Sequence, residues 1–535
     1  MKKIIHRIFP LALLMGIVYT GCKKYENPPP VFEDFRANVN TQRKVLIISI
    51  DGLTGSELKT IAPTNIETLR KTSKYSYDVL RGSVANDVAS WATMITGVSY
   101  SKHLIKENTF QPTPKENSHE VPAVFRNSFD YVLQYKSVKT AIVTPWTDLR
   151  NYVKVADFAP VVSTDVAVKD SAINIINTST SLGTMIVNFR DVQTAGATGG
   201  YIATNATYKN AVTKADEYVG NLVTALKARK NYAAEDWLIM VTTNHGGSNT
   251  DPKPGFIIAS NANLKEQELK KSGFNTLNFK TDAVFAAVPN DNGLYNMADN
   301  KDFTVQMDVR TNSNSYYPKI IGKSNDAGAT FTGWFWMQEG TTWNLEFGGI
   351  KNGGAGKQQI SITNAFTSTW TTLTMTVKYV NATTRTASAY INGVFKTSYN
   401  VSNVKSINTS DPLRLGGNYT SAGYTTDFNA ANLAIFNVAL DAATITANKD
   451  LKDVTKHPNY TNLIGFWPID EGGEGVVSNR VVGGYDMFMS GPFSWSAFGT
   501  NVPAGTAADP NASGKSIIIT PAAVSATMLY WMNVK

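Results

Sequence analysis

An aspartate at the end of a strand is the first residue of this chain placed to do chemistry. Residues 44–50, Lys-Val-Leu-Ile-Ile-Ser-Ile, form a continuous apolar run of the kind that becomes a parallel strand buried on both faces. The run stops at Asp51-Gly52. Open α/β sheets bind ligands at the carboxyl ends of their strands, so a carboxylate there is well placed for a site. The run Trp237–Thr243 leads likewise into Asn244-His245-Gly246-Gly247. Cys22 offers a different chemistry. It is the single cysteine of the chain, so no internal disulfide is possible. It follows a basic head (Lys2, Lys3, Arg7) and an apolar stretch, Ile8 to Tyr19, too short to span a bilayer. Small residues directly before it make its thiol a candidate for lipid attachment after cleavage. Glu471 carries the group a glycosidase uses, but no second carboxylate is placed for it at the retaining or inverting separation.

The elements that must position these groups follow from periodicity. Strand-like runs at Thr140–Thr144, Thr184–Phe189 and Trp237–Thr243 join the first. A helix is predicted over Tyr208–Lys227, with Val212, Ala215, Val219, Leu222 and Ala225 on one face. Alternating strands and helices predict a doubly wound α/β domain. From about residue 285 the texture changes. Phe303–Arg310 and Trp370–Val380 alternate at period two, with Gly, Asn, Ser and Thr between such runs. This predicts an all-β sandwich of roughly 200 residues. The last twenty residues switch again, to a strand at Ile517–Thr520 and a helix from Pro521 to Met532. A sandwich does not need that piece, whereas the α/β domain does. The predicted bounds are a leader at 1–21, a tether at 22–43 stiffened by Pro28-Pro29-Pro30, an α/β domain at 44–283 plus 512–535, and a sandwich at 284–500.

Composition bounds the function classes. Of 535 residues, 42% are apolar and 17% charged, which fits globular domains. The net charge of +8 falls to +5 once Lys2, Lys3 and Arg7 are removed with the leader. No dense Lys/Arg run is interleaved with aromatics, so nucleic acid is a poor candidate partner.

Several segments resemble the alkaline phosphatase superfamily, closest to its type I phosphodiesterase and nucleotide pyrophosphatase branch. The carriers are strand-Asp51-Gly52-Leu53, Pro63-Thr64-Asn65-Ile66-Glu67-Thr68-Leu69, Ser90 to Val98 with Lys102-His103, Asn244-His245-Gly246-Gly247, and Val524 to Trp531. The middle of the chain resembles laminin-G or concanavalin-like domains. Phe303-Thr304-Val305, Tyr390-Ile391-Asn392-Gly393, Leu415-Gly416-Gly417, Ala434 to Leu440 and Gly465-Phe466-Trp467-Pro468 carry that likeness. The fold class implied is an alkaline-phosphatase-like α/β domain with an inserted all-β sandwich of laminin-G-like, jelly-roll type. Insertion is tolerated at exposed loops with neighbouring ends.

The resemblance implies two divalent metals held by three Asp and three His, plus a Thr or Ser nucleophile. Carried over residue by residue, the pattern is depleted. Asp51 fits the first Asp and His245 is retained. Asp87 stands at the nucleophile position, where a carboxylate makes no alkoxide. Gln193 and Ala197 replace an Asp and a His, and Asn244 replaces another Asp. The loop Ser248–Pro254 lacks the last His. A zinc pair is therefore not expected and no cofactor is predicted. The alternative is a single Ca²⁺ or Mg²⁺ on the oxygens of Asp51, Asp87, Gln193 and Asn244. Relatives of the sandwich bind glycans through exposed aromatics, which makes Trp334, Trp336, Trp343 and Trp370 candidates. The expectation is an outer-membrane lipoprotein, facing the periplasm or the cell surface, with a catalytically degenerate domain. Its partners would be a membrane through the lipid and a polysaccharide or an outer-membrane protein. Two alternatives stay open: an active metal-dependent phosphodiesterase or phosphatase with an altered metal site, and a scaffold subunit of an outer-membrane assembly.

Overall fold

The apolar runs become strands where periodicity puts them. The computed structural model describes residues 42–113, 121–271, 273–324, 331–351, 354–417, 426–509 and 517–534. The expected leader and Cys22 lie outside the described residues. One sheet contains β1 (Gln42–Ile50), β2 (Ser73–Val79), β3 (Lys139–Val143), β4 (Leu182–Phe189), β5 (Glu235–Thr242), β6 (Gly255–Ser260) and β7 (Gln267–Glu268). Its order is β3-β4-β1-β5-β6-β2-β7. β3, β4 and β1 are parallel, whereas β6 runs antiparallel to β5 and β2, so the sheet is mixed. β4 is buried along its whole length, which is why its sequence is apolar without alternation. Around the sheet pack α1 (Asp87–Thr96), α2 (Asp165–Thr178), α3 (Asp191–Ala197) and α4 (Ala206–Lys227). The α4 stripe that buries is Tyr208, Val212, Ala215, Val219, Leu222 and Leu226. Among the described residues no helix is long and apolar enough to cross a membrane.

A buried ion network ties the amino ends of β1 and β5, opposite the end that carries Asp51. Lys44 Nζ lies 2.6 Å from Glu235 Oε1, and Arg229 Nε 2.8 Å from Glu235 Oε2, with all three side chains nearly out of water. Burial pushes the Glu235 carboxyl up, but hydrogen bonds from Arg229 and Lys44 outweigh it and bring its pKa down to about 2. Burial depresses Lys44, so the network is costly to break more than it is strongly stabilising. Glu235→Gln is expected to destabilise the domain by about 3–5 kcal/mol near neutral pH. The folded pKa lies below the unfolded value of about 4.3, so the carboxylate's contribution is present above that value and is lost as pH falls through about 2. Denaturant unfolding of both proteins at stepped pH checks this. The gap between them should narrow below about pH 4, and a pH-independent gap would sink the assignment.

The second core is the sandwich. Its strands are β8 (Asn275–Lys280), β9 (Phe285–Val288), β10 (Phe303–Thr311), β11 (Tyr316–Ser324), β12 (Gly333–Glu339), β13 (Thr342–Lys351), β14 (Gly354–Ile362) and β15 (Thr371–Asn381). They continue with β16 (Thr384–Ile391), β17 (Val394–Asn400), β18 (Leu413–Gly416), β19 (Asp427–Phe436), β20 (Leu463–Trp467), β21 (Val476–Val477), β22 (Met487–Ser490) and β23 (Ser494–Ala497). One sheet runs β17-β16-β15-β10-β19-β8-β23, with β20 also on β19. The other runs β14-β13-β12-β11-β18-β9-β22-β21. Asn392 and Gly393 both take positive φ, 50° and 76°, as a two-residue type I′ hairpin between β16 and β17 requires.

Three expectations need correction. The sandwich begins at Asn275 and not at 284, because β8 pairs with both β19 and β23. Residues 517–520 form no strand; Leu80 N–H donates to Ile519 O at 2.8 Å and Ala523 N–H to Thr520 O at 2.9 Å. Trp334, Trp336 and Trp343 are 1%, 0% and 0% exposed and belong to the sandwich core. Residues two apart on a strand share a face, and here that face looks inward, so these rings present nothing to a sugar. Trp370 is half-buried, with its ring against Phe274 and Phe498 and its Nε1 donating to Asn501 O.

The chain returns from the sandwich to close the first domain. The helix α5 (Ala523–Trp531) packs on α1. Ser525 Oγ lies 2.7 and 2.8 Å from the Met94 and Ile95 carbonyls, satisfying orphan acceptors at the end of α1. Trp531 Nε1 donates to Asp236 O at 3.2 Å. Arg81 pairs with Asp486, and Lys271 with Asp470, where the sandwich meets its host.

Candidate functional site

Strand ends converge on Asp87. Asp51 follows β1 and is fully buried; its oxygens accept from Ser49 Oγ (2.7 Å) and Trp91 Nε1 (3.0 Å). Asn244 and His245 follow β5 and are buried as well. The loops are pinned to each other by Gly52 N to His245 O and Gly247 N to Gly52 O, both 3.2 Å. Gly52 sits at φ +78°, and a Cβ there would lie 2.7 Å from Gln193 Cα. Only glycine allows α3 to come this close to the turn. Asp87 is the first residue of α1, after the capping side chain of Asn86.

The Asp87 carboxylate is saturated. Its Oδ1 accepts from Gln193 Nε2 (2.8 Å), Asn244 Nδ2 (2.8 Å) and His245 Nε2 (3.1 Å). Its Oδ2 accepts from Arg190 Nη2 (2.8 Å) and Asn249 Nδ2 (3.3 Å). A carboxylate offers about four lone-pair positions, and here five donors claim them. Burial pushes the Asp87 carboxyl up, but the His245 bond and the Arg190 charge win and hold it well below the usual range. His245 Nδ1 faces Gly246 O at 3.0 Å, so both ring nitrogens act as donors to oxygen. Burial pulls the imidazole pKa down, Asp87 outweighs that, and the net shift is upward. Asp51 is pushed up by burial, with Arg190 opposing.

Sequence reasoning missed two members of this pocket. Arg190 directly follows β4, and its guanidinium lies 2.8 Å from Asp87 Oδ2 and 3.7 Å from Asp51 Oδ2, over the Trp146 ring at 4.6 Å. Its position at the carboxyl end of a buried strand was the available signal. Asn249 comes from the loop expected to supply a histidine.

A metal pair does not fit these side chains. Asp51 and His245 keep ligating groups. Gln193 and Asn244 reach the same pocket but turn amide NH₂ groups toward Asp87. Asn244 Oδ1 accepts from His245 N at 2.7 Å. Ala197 is exposed at the end of α3. Among the described residues no three His, Cys, Asp or Glu side chains are grouped to hold an ion. Thr93 carries a hydroxyl that faces an imidazole, that of His103. His103 Nδ1 accepts from Ile105 N at 2.9 Å, so Nε2 carries the proton and donates to Thr93 Oγ1 at 2.9 Å. Burial lowers the His103 pKa to about 4. Glu471 is buried in the sandwich and accepts from Ser478 N at 2.8 Å.

The model of the family described as type I phosphodiesterase / nucleotide pyrophosphatase matches residues 45–326, more than half of the chain. That of the concanavalin A-like lectin/glucanases superfamily matches residues 282–446. Three solved structures illustrate the likeness. The 2-O GAG sulfatase BT1596 is 11% identical, over 42% of this chain and 65% of its own, with a TM-score of 0.33. Murine ectonucleotide pyrophosphatase/phosphodiesterase 5 is 16% identical, over 38% and 57%, with a TM-score of 0.32. The receptor-binding domain of botulinum neurotoxin type G is 20% identical, over 29% and 39%, with a TM-score of 0.21. The match thus spans no more than 65% of any of these three chains. No curated protein matches in sequence.

Proposed function

Starting from a chain that belongs to the type I phosphodiesterase / nucleotide pyrophosphatase family, we propose an envelope lipoprotein whose α/β domain no longer hydrolyses phosphoric esters and whose sandwich binds a saccharide. The saturated Asp87 carries the first part of this reading. A carboxylate at the head of α1 gives no alkoxide, and five donors leave it no free lone pair for attack. The lipid on Cys22 would tether the protein to a membrane.

Purified protein is expected to give no turnover of bis(p-nitrophenyl) phosphate or p-nitrophenyl sulfate above buffer, with Zn²⁺, Mn²⁺, Mg²⁺ or Ca²⁺ added. Turnover abolished by Asp87→Ala would overturn the reading in favour of an active esterase.

The sandwich offers a seat for a ligand that its tryptophans do not. A cavity of about 430 Å³ lies between Asn290–Asn296 and Asn408–Ser410, within the roughly 300–1,000 Å³ of small-molecule sites. Its lining is glycine, carboxamides, hydroxyls and Asp291, which is neutralised by Lys323 at 2.8 Å. Asn296 Oδ1 accepts from Thr409 N at 3.2 Å and joins the two walls. A neutral set of donors and acceptors suits a sugar's hydroxyls better than an ion or an apolar group. Screening the protein on neutral oligosaccharides should yield a binder, and Asn296→Ala with Asn408→Ala should weaken it about tenfold, near 0.7 kcal/mol per lost hydrogen bond. An empty screen with a protein complex recovered from membranes would favour the scaffold role.

A further inference from the structure

A carboxyl is shut in where the sandwich meets its host. The link from β20 to β21, residues 468–475, crosses from one sandwich sheet to the other. It presses on the α/β domain as it crosses. A Cβ at Gly472 would lie 2.9 Å from Ile518 Cδ1, and one at Gly473 2.8 Å from Ile518 Cγ2 and 3.8 Å from Leu80 Cδ1. A Cβ at Gly475 would lie 3.5 Å from Ser83 Cβ. Ile469 and Glu474 take φ of +58° and +59°, a region especially unfavourable for a β-branched residue such as Ile469. Packing therefore holds the link in a shape its backbone does not prefer.

Glu471 sits inside this link and is 5% exposed. Its Oε1 accepts from Ser478 N at 2.8 Å, and among the described residues its buried Oε2 has no hydrogen-bond partner. The cation that faces it is Arg480, whose Nη2 is 3.9 Å from Glu471 Oε1 and also 3.9 Å from Asp470 Oδ1. That side chain is 45% exposed, so water screens it and two carboxylates share it. Lys271 pairs with Asp470 at 3.3 Å, and Arg81 with Asp486. A buried carboxylate stays charged only when it is well paired, and this one is not. Burial and the Asp470 charge raise its pKa to about 7, against the Ser478 bond and Arg480. Burial also raises Glu474, the other carboxyl of the link.

We infer that Glu471 is a proton-operated latch between the sandwich and its host. Neutral, it lets the link pack on Leu80 and Ile518; ionised, it draws the link toward water and loosens the stretch that runs into α1. The folded pKa lies above the unfolded value of about 4.3, so the latch is fully closed below that value and releases as pH rises through about 7.

Hydrogen exchange of the full chain at pH 5.5 and 8.5, each rate divided by the intrinsic rate at that pH, tests this. The amides to follow are those of Ser478, Leu80 and Met489, which bond to Glu471, Ile519 and Gly475. A carboxyl that titrates at about 7 closed and about 4.3 open should lower their protection about thirtyfold over that span. Glu471→Gln cannot ionise and should keep its protection level, whereas Glu474→Gln should fall as wild type does. A wild type that does not change overturns the inference, as does an equal fall in Glu471→Gln or a fall abolished by Glu474→Gln. Should Glu471→Gln not fold, Glu471→Met takes its place with the same expectation. Failure of both to fold counts against the latch, because the closed link is inferred to hold a neutral side chain.

Discussion

Replacing Asp87 with alanine is expected to destabilise the α/β domain by about 3–5 kcal/mol, because it strands Arg190 and His245 in a buried pocket. The loss should depend on pH, and the sign can be worked out. His245 has a raised pKa, so its contribution is complete below its unfolded value of about 6.5 and fades as pH climbs through the folded one. Asp87 has a lowered pKa, so its contribution is present above about 3.9 and fades as pH falls through the folded value. The pair therefore works best between about pH 4 and 6.5. In the variant both flanks disappear. Chemical unfolding of the two proteins from pH 5 to 9 should show a gap that shrinks toward the alkaline end. A gap that stays flat across that range would show that His245 is neutral in the folded protein.

Trp336→Ala should cost the sandwich about 3–5 kcal/mol, the range for emptying a large aromatic site in a packed core. Trp336 has no exposed surface and meets Trp343 edge-on, with ring centroids 4.8 Å apart. The test is a paired measurement. Unfolding should move by that amount, while saccharide affinity at a temperature where the variant stays folded should not change. An intact fold with abolished binding would put the ring back in the binding site.

How much of this was legible depends on the residue. β1, β4 and β5 were readable because strands buried on both faces need uninterrupted apolar runs. The closing helix was readable from its own face of Val524, Met528 and Trp531, all buried. β8 was missed because Asn275–Lys280 has a mixed, polar composition, so periodicity alone shows no core strand. The tryptophans illustrate the same limit. Alternation fixes that Trp334 and Trp336 share a face, and only pairing with the opposite sheet decides which way that face looks. In the pocket, motif positions named Asp51, Asp87, Gln193, Asn244 and His245 but left open whether they meet; Gln193, Asn244 and His245 donate to Asp87. Arg190 lay outside every motif, and its role depends on distances across three strands.

The tie between Ser525 and Met94 spans 431 positions of chain, and that separation orders events in time. At the roughly 5–20 residues per second of synthesis, tens of seconds pass between the appearance of α1 and of the helix that covers it. In the later part of that interval, from Asn275 onward, the sandwich acquires its strands, while its host still exposes the apolar seat of α5. A long-range contact of this kind is slow to form because loop closure must come first. The guest domain is thus expected to mature before its host, and a chain cut short after residue 500 would have a complete sandwich beside an unfinished neighbour.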